Sequence, residues 1–370
     1  MANRERLIRL ENILEKSLQR KPLSASEIFY LLGLTDENEI SQVFQTAQFL
    51  RSQYFGNKVF LYGFVYFSTH CRNNCTFCAS RTSNKLAERY RKSESEIVEA
   101  ANLLAESGVH LIDLTMGEDP FYLRSESGFD SLLRTIQRVK GETNLPLMIS
   151  PGVVSKDALV EFAKAGVDWY ACYQETHNRQ LFLSLRPEQD YISRLSSKVF
   201  ARRMGILIEE GIMTGVGESL SDIAFSMEVI RSLEPHQARV MSFVPQIGTP
   251  MYDRKSPSRL RELKTIAVLR LLYPDRLIPA SLDVDGLGLL QERLEAGANV
   301  ITSLIPPRLG LSGVSQPSLG IDNGARTVQG VAPLLDRIGL TVATNQEYFR
   351  WICAEKSALN YRPANYGVAA

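Results

Sequence analysis

Three cysteines stand close together in the run Cys71-Arg-Asn-Asn-Cys75-Thr-Phe-Cys78. Thiolates at this spacing can converge on one metal centre. The chain has five cysteines, and an odd, clustered set does not read as a disulfide scaffold. Zinc in a structural site takes four protein ligands. A fourth would have to be Cys172, Cys353 or one of His70, His110, His177 and His236. His70 adjoins Cys71 and points the wrong way if Cys71 already ligates. An iron–sulfur cube held by three cysteines keeps one iron open for a small ligand. A zinc knuckle, or a loop of unligated thiols, is the plainer alternative. Cys172 and Cys353 read as small core residues.

The elements that must position this centre alternate. Residues 1–55 read as a helical extension, with apolar residues from Leu7 to Leu18 near helical spacing. A capping box, Ser24 with Glu27, precedes Ile28, and Asp36 with Glu39 opens a further helix. From residue 56 short β-branched or aromatic runs take over. The expected strands are Val59–Phe67, His110–Thr115, Leu147–Ser150, Asp168–Tyr173, Gly211–Gly215, Ala238–Phe243, Leu277–Asp283 and Asn299–Ser303. Helical patterns fill the gaps at Glu94–Glu106, Gly128–Val139, Ser155–Ala165, Ile192–Glu210, Asp222–Leu233, Arg259–Leu272, Leu287–Ala296 and Ala325–Ile338. Alternating βα units imply a parallel sheet, and this many suggest an α/β chain closed as a (β/α)8 TIM barrel over 56–340. A doubly wound open sheet is the rival. The tail, 341–370, reads as irregular, packed on the barrel and anchored by Trp351.

A barrel enzyme builds its site at the C-terminal ends of its strands. Strand one ends at the cysteines, and strand two carries Asp113, then Glu118 and Asp119. Ser150, Glu175, the Gly215–Gly217 loop, Arg239, Ser281 with Asp283, and Ser303 follow on later strands. Asp113 interrupts an apolar strand, and a buried carboxylate is costly without a cation or donors. Arg239 is the natural counter-charge for Asp283. The bland readings are helix caps, ion pairs, an ordinary turn at Glu118-Asp119-Pro120 and solvated helix residues at Arg186 and Arg194. No Ser–His–Asp or Cys–His constellation is visible.

Composition bounds the rest. The 370 residues carry 42 basic and 41 acidic side chains, so no bulk field recruits nucleic acid or an anionic membrane. A hydrophobic fraction of 44% with 22% charged residues is that of a globular chain. No apolar run is long enough to span a bilayer, and the charged start lacks a signal core, so a cytoplasmic location is expected.

The spacing Cys-x3-Cys-x2-Cys, with Phe77 before the last cysteine and a barrel strand ahead, resembles the signature of the radical S-adenosylmethionine (SAM) enzymes. Longer stretches resemble the 3-methylornithine synthase family of pyrrolysine biosynthesis. Among them are Val65-Tyr-Phe-Ser-Thr-His-Cys71, Asp113-Leu-Thr-Met-Gly-Glu-Asp-Pro120, Met148-Ile-Ser-Pro-Gly152, Tyr173-Gln-Glu-Thr176, Arg239-Val-Met-Ser-Phe243 and Ile278-Pro-Ala-Ser-Leu-Asp283. Biotin synthase and a hydrogenase maturase are more distant look-alikes. The chain departs from the family pattern in Ala79–Ala87 and in the tail, segments that bear on lid and partner contacts.

The resemblance implies a 4Fe-4S cluster on Cys71, Cys75 and Cys78, and SAM on its open iron as the source of a 5′-deoxyadenosyl radical. It implies isomerisation of L-lysine to (3R)-3-methyl-D-ornithine through a glycyl fragment that leaves and rejoins, with reduced flavodoxin or ferredoxin as electron donor. Phe77, Met116, Gly117, Glu118, Ser150, Glu175, Arg186 and Arg194 match SAM positions, and the Gly215–Gly217 loop would face the adenine. Asp113, Arg239, Ser281, Asp283 and Ser303 match substrate positions, with Asp283 for the α-amino group and Asp113 for the side-chain amine. The N-terminal helices would seal the cage. Another radical SAM barrel enzyme, acting on a different small amino acid, and a non-catalytic zinc-binding barrel are the alternatives.

Overall fold

Period-two alternation decides which side chains enter the barrel. In the computed structural model, which describes residues 2–306, 309, 311–315 and 326–361, the chain opens with three helices, α1 (Ala2–Leu18), α2 (Ala25–Leu32) and α3 (Glu37–Phe55). Then come β1 (Lys58–Ser68), α4 (Glu94–Ser107), β2 (Leu111–Met116), α5 (Pro120–Arg124), α6 (Glu126–Thr143), β3 (Leu147–Ser150), α7 (Lys156–Lys164) and β4 (Trp169–Ala171). The second half holds α8 (Arg179–Leu185), α9 (Tyr191–Arg203), β5 (Leu207–Thr214), α10 (Leu220–Leu233), β6 (Gln237–Ser242), α11 (Arg259–Leu272) and β7 (Pro279–Ser281). It ends with α12 (Leu290–Glu295), β8 (Val300–Leu304), α13 (Val328–Arg337), β9 (Thr341–Val342) and α14 (Asn345–Tyr361). No helix among the described residues is long and apolar enough to cross a membrane.

The strands run parallel in the order β6-β5-β4-β3-β2-β1-β8-β7. The ring closes between β6 and β7 only at its foot, where Ala238 N–H donates to Leu277 O and Leu277 N–H to His236 O. The barrel is therefore nearly closed, and the open-sheet alternative falls. Its foot is filled by Phe60, Tyr62, Leu111, Met148, Trp169, Leu207, Leu277 and Val300. A larger apolar layer lies between strands and helices.

Three expectations need correction. The tail is not irregular: β9 pairs with the start of β1, and α14 plugs the foot of the barrel. Trp351 does anchor it, stacked 5.8 Å from Trp169. Tyr348 OH donates to Tyr62 OH at 2.6 Å, and Lys356 pairs with Asp168 at 2.5 Å. Residues 362–370 of that tail, and Ala325 of the expected last barrel helix, lie outside the described residues. Cys353 is exposed, because α14 turns Tyr348 and Ile352 inward instead. The expected helix Ile192–Glu210 ends at Arg203, and β5 begins at Leu207, so Glu209 and Glu210 are strand residues.

The N-terminal helices do not seal the cage either. They pack on the outside, against α10, α11 and α12. Cations from the barrel helices fasten them: Lys264 Nζ donates to Leu32 O at 2.6 Å and Leu34 O at 2.8 Å, and Arg231 to Leu23 O at 3.1 Å. Carbonyls at a helix C-terminus, here Leu32 O at the end of α2 with Leu34 O just beyond it, attract such donors.

Because Tyr348 is fully buried in the plug, Tyr348→Ala should cost about 3–5 kcal/mol. Tyr348→Phe removes only the hydroxyl contact and should cost about 1 kcal/mol. Urea unfolding of the two variants measures the difference, and equal costs would refute a packed plug.

Candidate active site

The segment after β1 carries the cysteines and is stitched to the barrel top at both ends. Arg89 donates to Thr69 O, Ser80 O and Arg81 O at 2.5, 2.9 and 2.6 Å. Arg91 forks onto Asp119 at 2.8 and 2.9 Å, and Ser68 Oγ donates to the same carboxylate at 2.6 Å. Asp119 thus serves as an anchor of this segment.

Cys75 is buried; Cys71 and Cys78 are half-buried. Cys75 Sγ accepts from Gln189 Nε2 at 3.0 Å and Arg186 Nη1 at 3.3 Å. Burial pushes the Cys78 thiol up to about 12, and the neighbouring Cys75 and Cys71 add to it. Such thiols ionise readily only when a cationic centre replaces their protons. Among the described residues no three His, Cys, Asp or Glu side chains close on a single ion. A cubane spreads its ligands one to each iron, so this donor set fits a cluster.

Gly117 presses on the same segment. A Cβ there would lie 2.3 Å from His70 O and 2.9 Å from Cys71 Cβ. Gly117→Ala should therefore displace Cys71. We expect a folded variant that binds markedly less iron and sulfide per chain than the parent, and parental cluster content would refute the steric argument.

Beside the cysteines lies a web of buried charge. Glu118 accepts from Arg194 at 3.2 Å, from Arg72 at 3.0 Å and from Val153 N–H at 3.0 Å. Burial alone would raise its carboxyl, but Arg194 and these donors outweigh burial and hold it low. Arg194 Nε also donates to Tyr173 O at 2.7 Å. Arg186 pairs with Glu175 at 2.6 Å and lies 5.2 Å over the Phe77 ring. Glu175 has φ +68, a left-handed conformation that costs a non-glycine residue strain. Met116 is buried at the end of β2. The Gly215–Gly217 loop spends its amides on Glu218, with all three N–H groups within 3.1 Å of that carboxylate. Its Val216 side chain joins Leu185 and Phe243 in an apolar cluster that Phe77 flanks.

Inside the barrel, the strand faces that carry Leu111, Trp169 and Leu207 at the foot carry Asp113, Tyr173 and Glu209 higher up. Arg239 Nε donates to Glu209 at 2.6 Å, and Tyr173 OH donates to the other oxygen of Glu209 at 2.8 Å. Arg239 Nη1 reaches Thr302 Oγ1 at 3.3 Å. Asp113 accepts from the Thr115 and Ser150 hydroxyls, each at 3.0 Å. Burial and then the charge of Glu209 push its carboxyl up to about 7. Asp283 is not paired with Arg239, as the sequence suggested. Its partners are Arg326 at 3.3 Å and Ser315 N–H at 2.6 Å. Ser281 and Ser303 hydroxyls meet at 3.3 Å, with Ser303 at φ +67.

The candidate residues thus fall in two adjoining groups. One, around the cysteines, contains Glu118, Glu175, Arg186 and Arg194; the other contains Asp113, Ser150, Arg239, Ser281, Asp283 and Ser303. Sequence reasoning missed Glu209, Tyr173, Thr302, Arg326, Gln189 and Arg72. For Glu209 a signal existed: Leu207-Ile208-Glu209-Glu210 is an apolar run broken by two acids, and alternation must send one of them inward. The other, Glu210, is buried outside the barrel against Lys198 at 2.6 Å.

Comparisons with known proteins agree with this fold. The family model of the Radical SAM superfamily matches residues 65–230. The chain is 40% identical over 339 residues to a 3-methylornithine synthase of Methanosarcina acetivorans, covering 92% of this chain and 96% of that one. It is 30% identical to the FeFe-hydrogenase maturase subunit HydE of Thermotoga maritima, over 78% of this chain and 82% of that one. A crystal structure of methylornithine synthase superposes with a TM-score of 0.87 at 37% identity, covering 92% of this chain and 99% of that one. The chain therefore belongs to the 3-methylornithine synthase family of radical SAM enzymes, carbon-skeleton isomerases that work with a 4Fe-4S cluster and SAM.

Proposed function

We propose that this enzyme rearranges L-lysine to (3R)-3-methyl-D-ornithine, in the cytoplasm, with reduced flavodoxin or ferredoxin as electron donor. The observation that carries the substrate is the charge inside the barrel. Three carboxylates (Asp113, Glu209, Asp283) face two guanidinium groups (Arg239, Arg326). Asp113 has hydroxyl partners but no ion pair among the described residues. A buried site short of one positive charge favours a ligand with two ammonium groups and one carboxylate, and lysine is such a ligand.

In this reading Asp113 takes the side-chain ammonium. Arg239, held at Nε by Glu209, turns its remaining donors to the carboxylate. Asp283, Ser281 and Ser303 receive the α-amino group; an ionised carboxylate has lone pairs to spare beyond its two present partners. Cys71, Cys75 and Cys78 hold the cluster, and Gln189 and Arg186 donate to Cys75. Glu118, Glu175, Arg186 and Arg194 bind the polar parts of SAM, Ser150, whose hydroxyl donates to Asp113, stands between SAM and substrate, Met116 and Gly117 line the amino-acid end of SAM, and Phe77 and Val216 bound the adenine. When bound, cluster and SAM supply a 5′-deoxyadenosyl radical that exchanges one hydrogen with the substrate. The protein's part is to hold the substrate by its charged ends and to keep out water. Tyr62, Trp169 and the α14 plug close the foot, so a migrating fragment has no exit there. An odd number of cysteines, three of them clustered, suits a reducing compartment.

The test is an anaerobic incubation of iron-reconstituted protein with SAM, a strong reductant and L-lysine. Chromatography with mass detection should reveal an isomer of lysine's mass. 5′-Deoxyadenosine without an isomer would sink the substrate while leaving the radical chemistry.

A further inference from the structure

Leu86 and Ile247, at 73% and 60% exposed, are the most exposed large apolar side chains among the described residues. One side chain ties their loops together. Asn84 Nδ2 donates to Ile247 O and to Ala79 O, each at 2.9 Å, while its Oδ1 accepts from Leu86 N–H at 3.0 Å. Gly248 follows at φ +77, and a Cβ there would lie 2.0 Å from Asn84 Oδ1. This close approach holds two water-exposed apolar tips on one face of the molecule. Exposed apolar residues brought together in this way mark interaction surfaces more often than isolated ones do.

The charge around them is one-sided. Residues 69–92 hold Arg72, Arg81, Lys85, Arg89, Arg91 and Lys92 against the single acid Glu88, in a chain whose formal net charge is +1. Arg72, Arg91 and Lys92 pair with Glu118, Asp119 and Glu96. Among the described residues Arg81, Lys85 and Arg89 have no carboxylate partner, and Arg89 spends its donors on carbonyls, which leaves its charge uncompensated. A surface groove beside Asn84, Lys85 and Arg89 runs on to His70 and Cys71, so the patch and the cysteine segment share one face.

We propose that this face docks an acidic protein carrying single electrons, with Leu86 and Ile247 as the apolar contact and Arg81, Lys85 and Arg89 as the steering charges. An apolar centre with a complementary charged rim gives both affinity and a fast encounter. The transfer makes and breaks no bond: the carrier is oxidised by one electron and the cluster is reduced by one. The inference rests on the cysteine segment holding that cluster.

The experiment uses the cluster-loaded enzyme, mixed anaerobically with a reduced flavodoxin of net negative charge or, separately, with dithionite. Cluster reduction is followed by loss of visible absorbance. Lys85→Glu, Leu86→Glu, their double variant and Ile247→Glu are compared with the parent; none of these side chains belongs to the catalytic groups. With flavodoxin the double variant should slow about tenfold or more, and the parent should slow as salt is added. With dithionite every variant should match the parent. Calorimetric titration of the loaded enzyme with flavodoxin should show binding that the double variant loses. Equal rates of parent and variants with flavodoxin would overturn the docking surface, as would equal slowing with both reductants. A parent that takes up no cluster would remove the underlying reading, and that failure shows before any variant is compared.

Discussion

Arg239→Met should cost the apoprotein about 3–5 kcal/mol and abolish turnover, whereas Arg239→Met combined with Glu209→Gln should regain most of the stability and none of the activity. Glu209 is fully buried, and its carboxylate is satisfied by Arg239 at 2.6 Å and by Tyr173 at 2.8 Å. Removing the guanidinium leaves a negative charge in a low-dielectric core beside Asp113, which is the expensive way to break a buried pair. Neutralising Glu209 as well removes that charge, and the glutamine can still accept from the Tyr173 hydroxyl. Turnover stays lost, because in the proposed reading Arg239 is the partner of the substrate carboxylate. Urea unfolding of the cluster-free proteins, paired with the lysine assay on cluster-matched samples, gives both readouts. A single variant as stable as the parent would show that Glu209 has another partner. An active double variant would show that the carboxylate binds elsewhere.

Asp113→Asn should raise the KM for lysine roughly 30-fold or more and remove the pH dependence of lysine binding. Truncating one partner of a buried charge pair costs about 2–5 kcal/mol. The pH argument follows from the direction of the shift. Burial first, and then Glu209, raise the Asp113 carboxyl from 3.8 to about 7, while Thr115, Arg239 and Ser150 pull it back only in part. Between these values the folded protein holds a proton that the unfolded chain has released. The associated stability is fully present below pH 3.8 and is lost as pH rises through about 7. It amounts to at most about 4 kcal/mol at 1.36 kcal/mol per unit. A lysine ammonium wants the carboxylate form, so affinity should rise up to about tenfold per pH unit below 7 and level off above it. Lysine binding near neutral pH should also release a proton. Calorimetry in two buffers of different ionisation enthalpy detects that proton in the parent and should find none in Asp113→Asn. Equal proton release in both would assign the titration to another group.

Much of this protein was legible from local pattern. Leu147–Ser150 and Arg259–Leu272 have the bounds that alternation and helical spacing indicate, and the capping boxes at Ser24 and Ser93 form as spaced. These, including the Ser93–Glu96 spacing ahead of the helix expected at Glu94–Glu106, are short-range features, and short-range physics sets them. The three cysteines are equally local: all lie in one segment, so their types and spacing carry the chemistry whatever the rest of the chain does. Alternating βα units implied the barrel, since right-handed parallel crossovers leave few other arrangements. The helix expected through Glu210 failed for the complementary reason. Glu, Leu and Ile suit a helix, but pairing with β4 and β6 on either side draws Leu207–Thr214 into the barrel wall. The tail looked irregular because its helix draws its stability from the foot of the barrel, which no local window contains.

The strand-end pairings belong to the same class. Arg239 meets Glu209 across 30 residues and Asp283 meets Arg326 across 43, and strand register and barrel closure alone determine which acid each arginine faces. The sequence by itself determined the cluster motif, the family, the barrel and the ring of polar residues at its strand ends. Only the tertiary structure decided which of those charges neutralise one another, that Asp113 is left short of a cation, that α14 and not the N-terminal helices closes the chamber's floor, and that Leu86 and Ile247 share a face. Composition and period are properties of neighbouring residues, whereas charge balance in a buried cavity is a property of strands folded side by side.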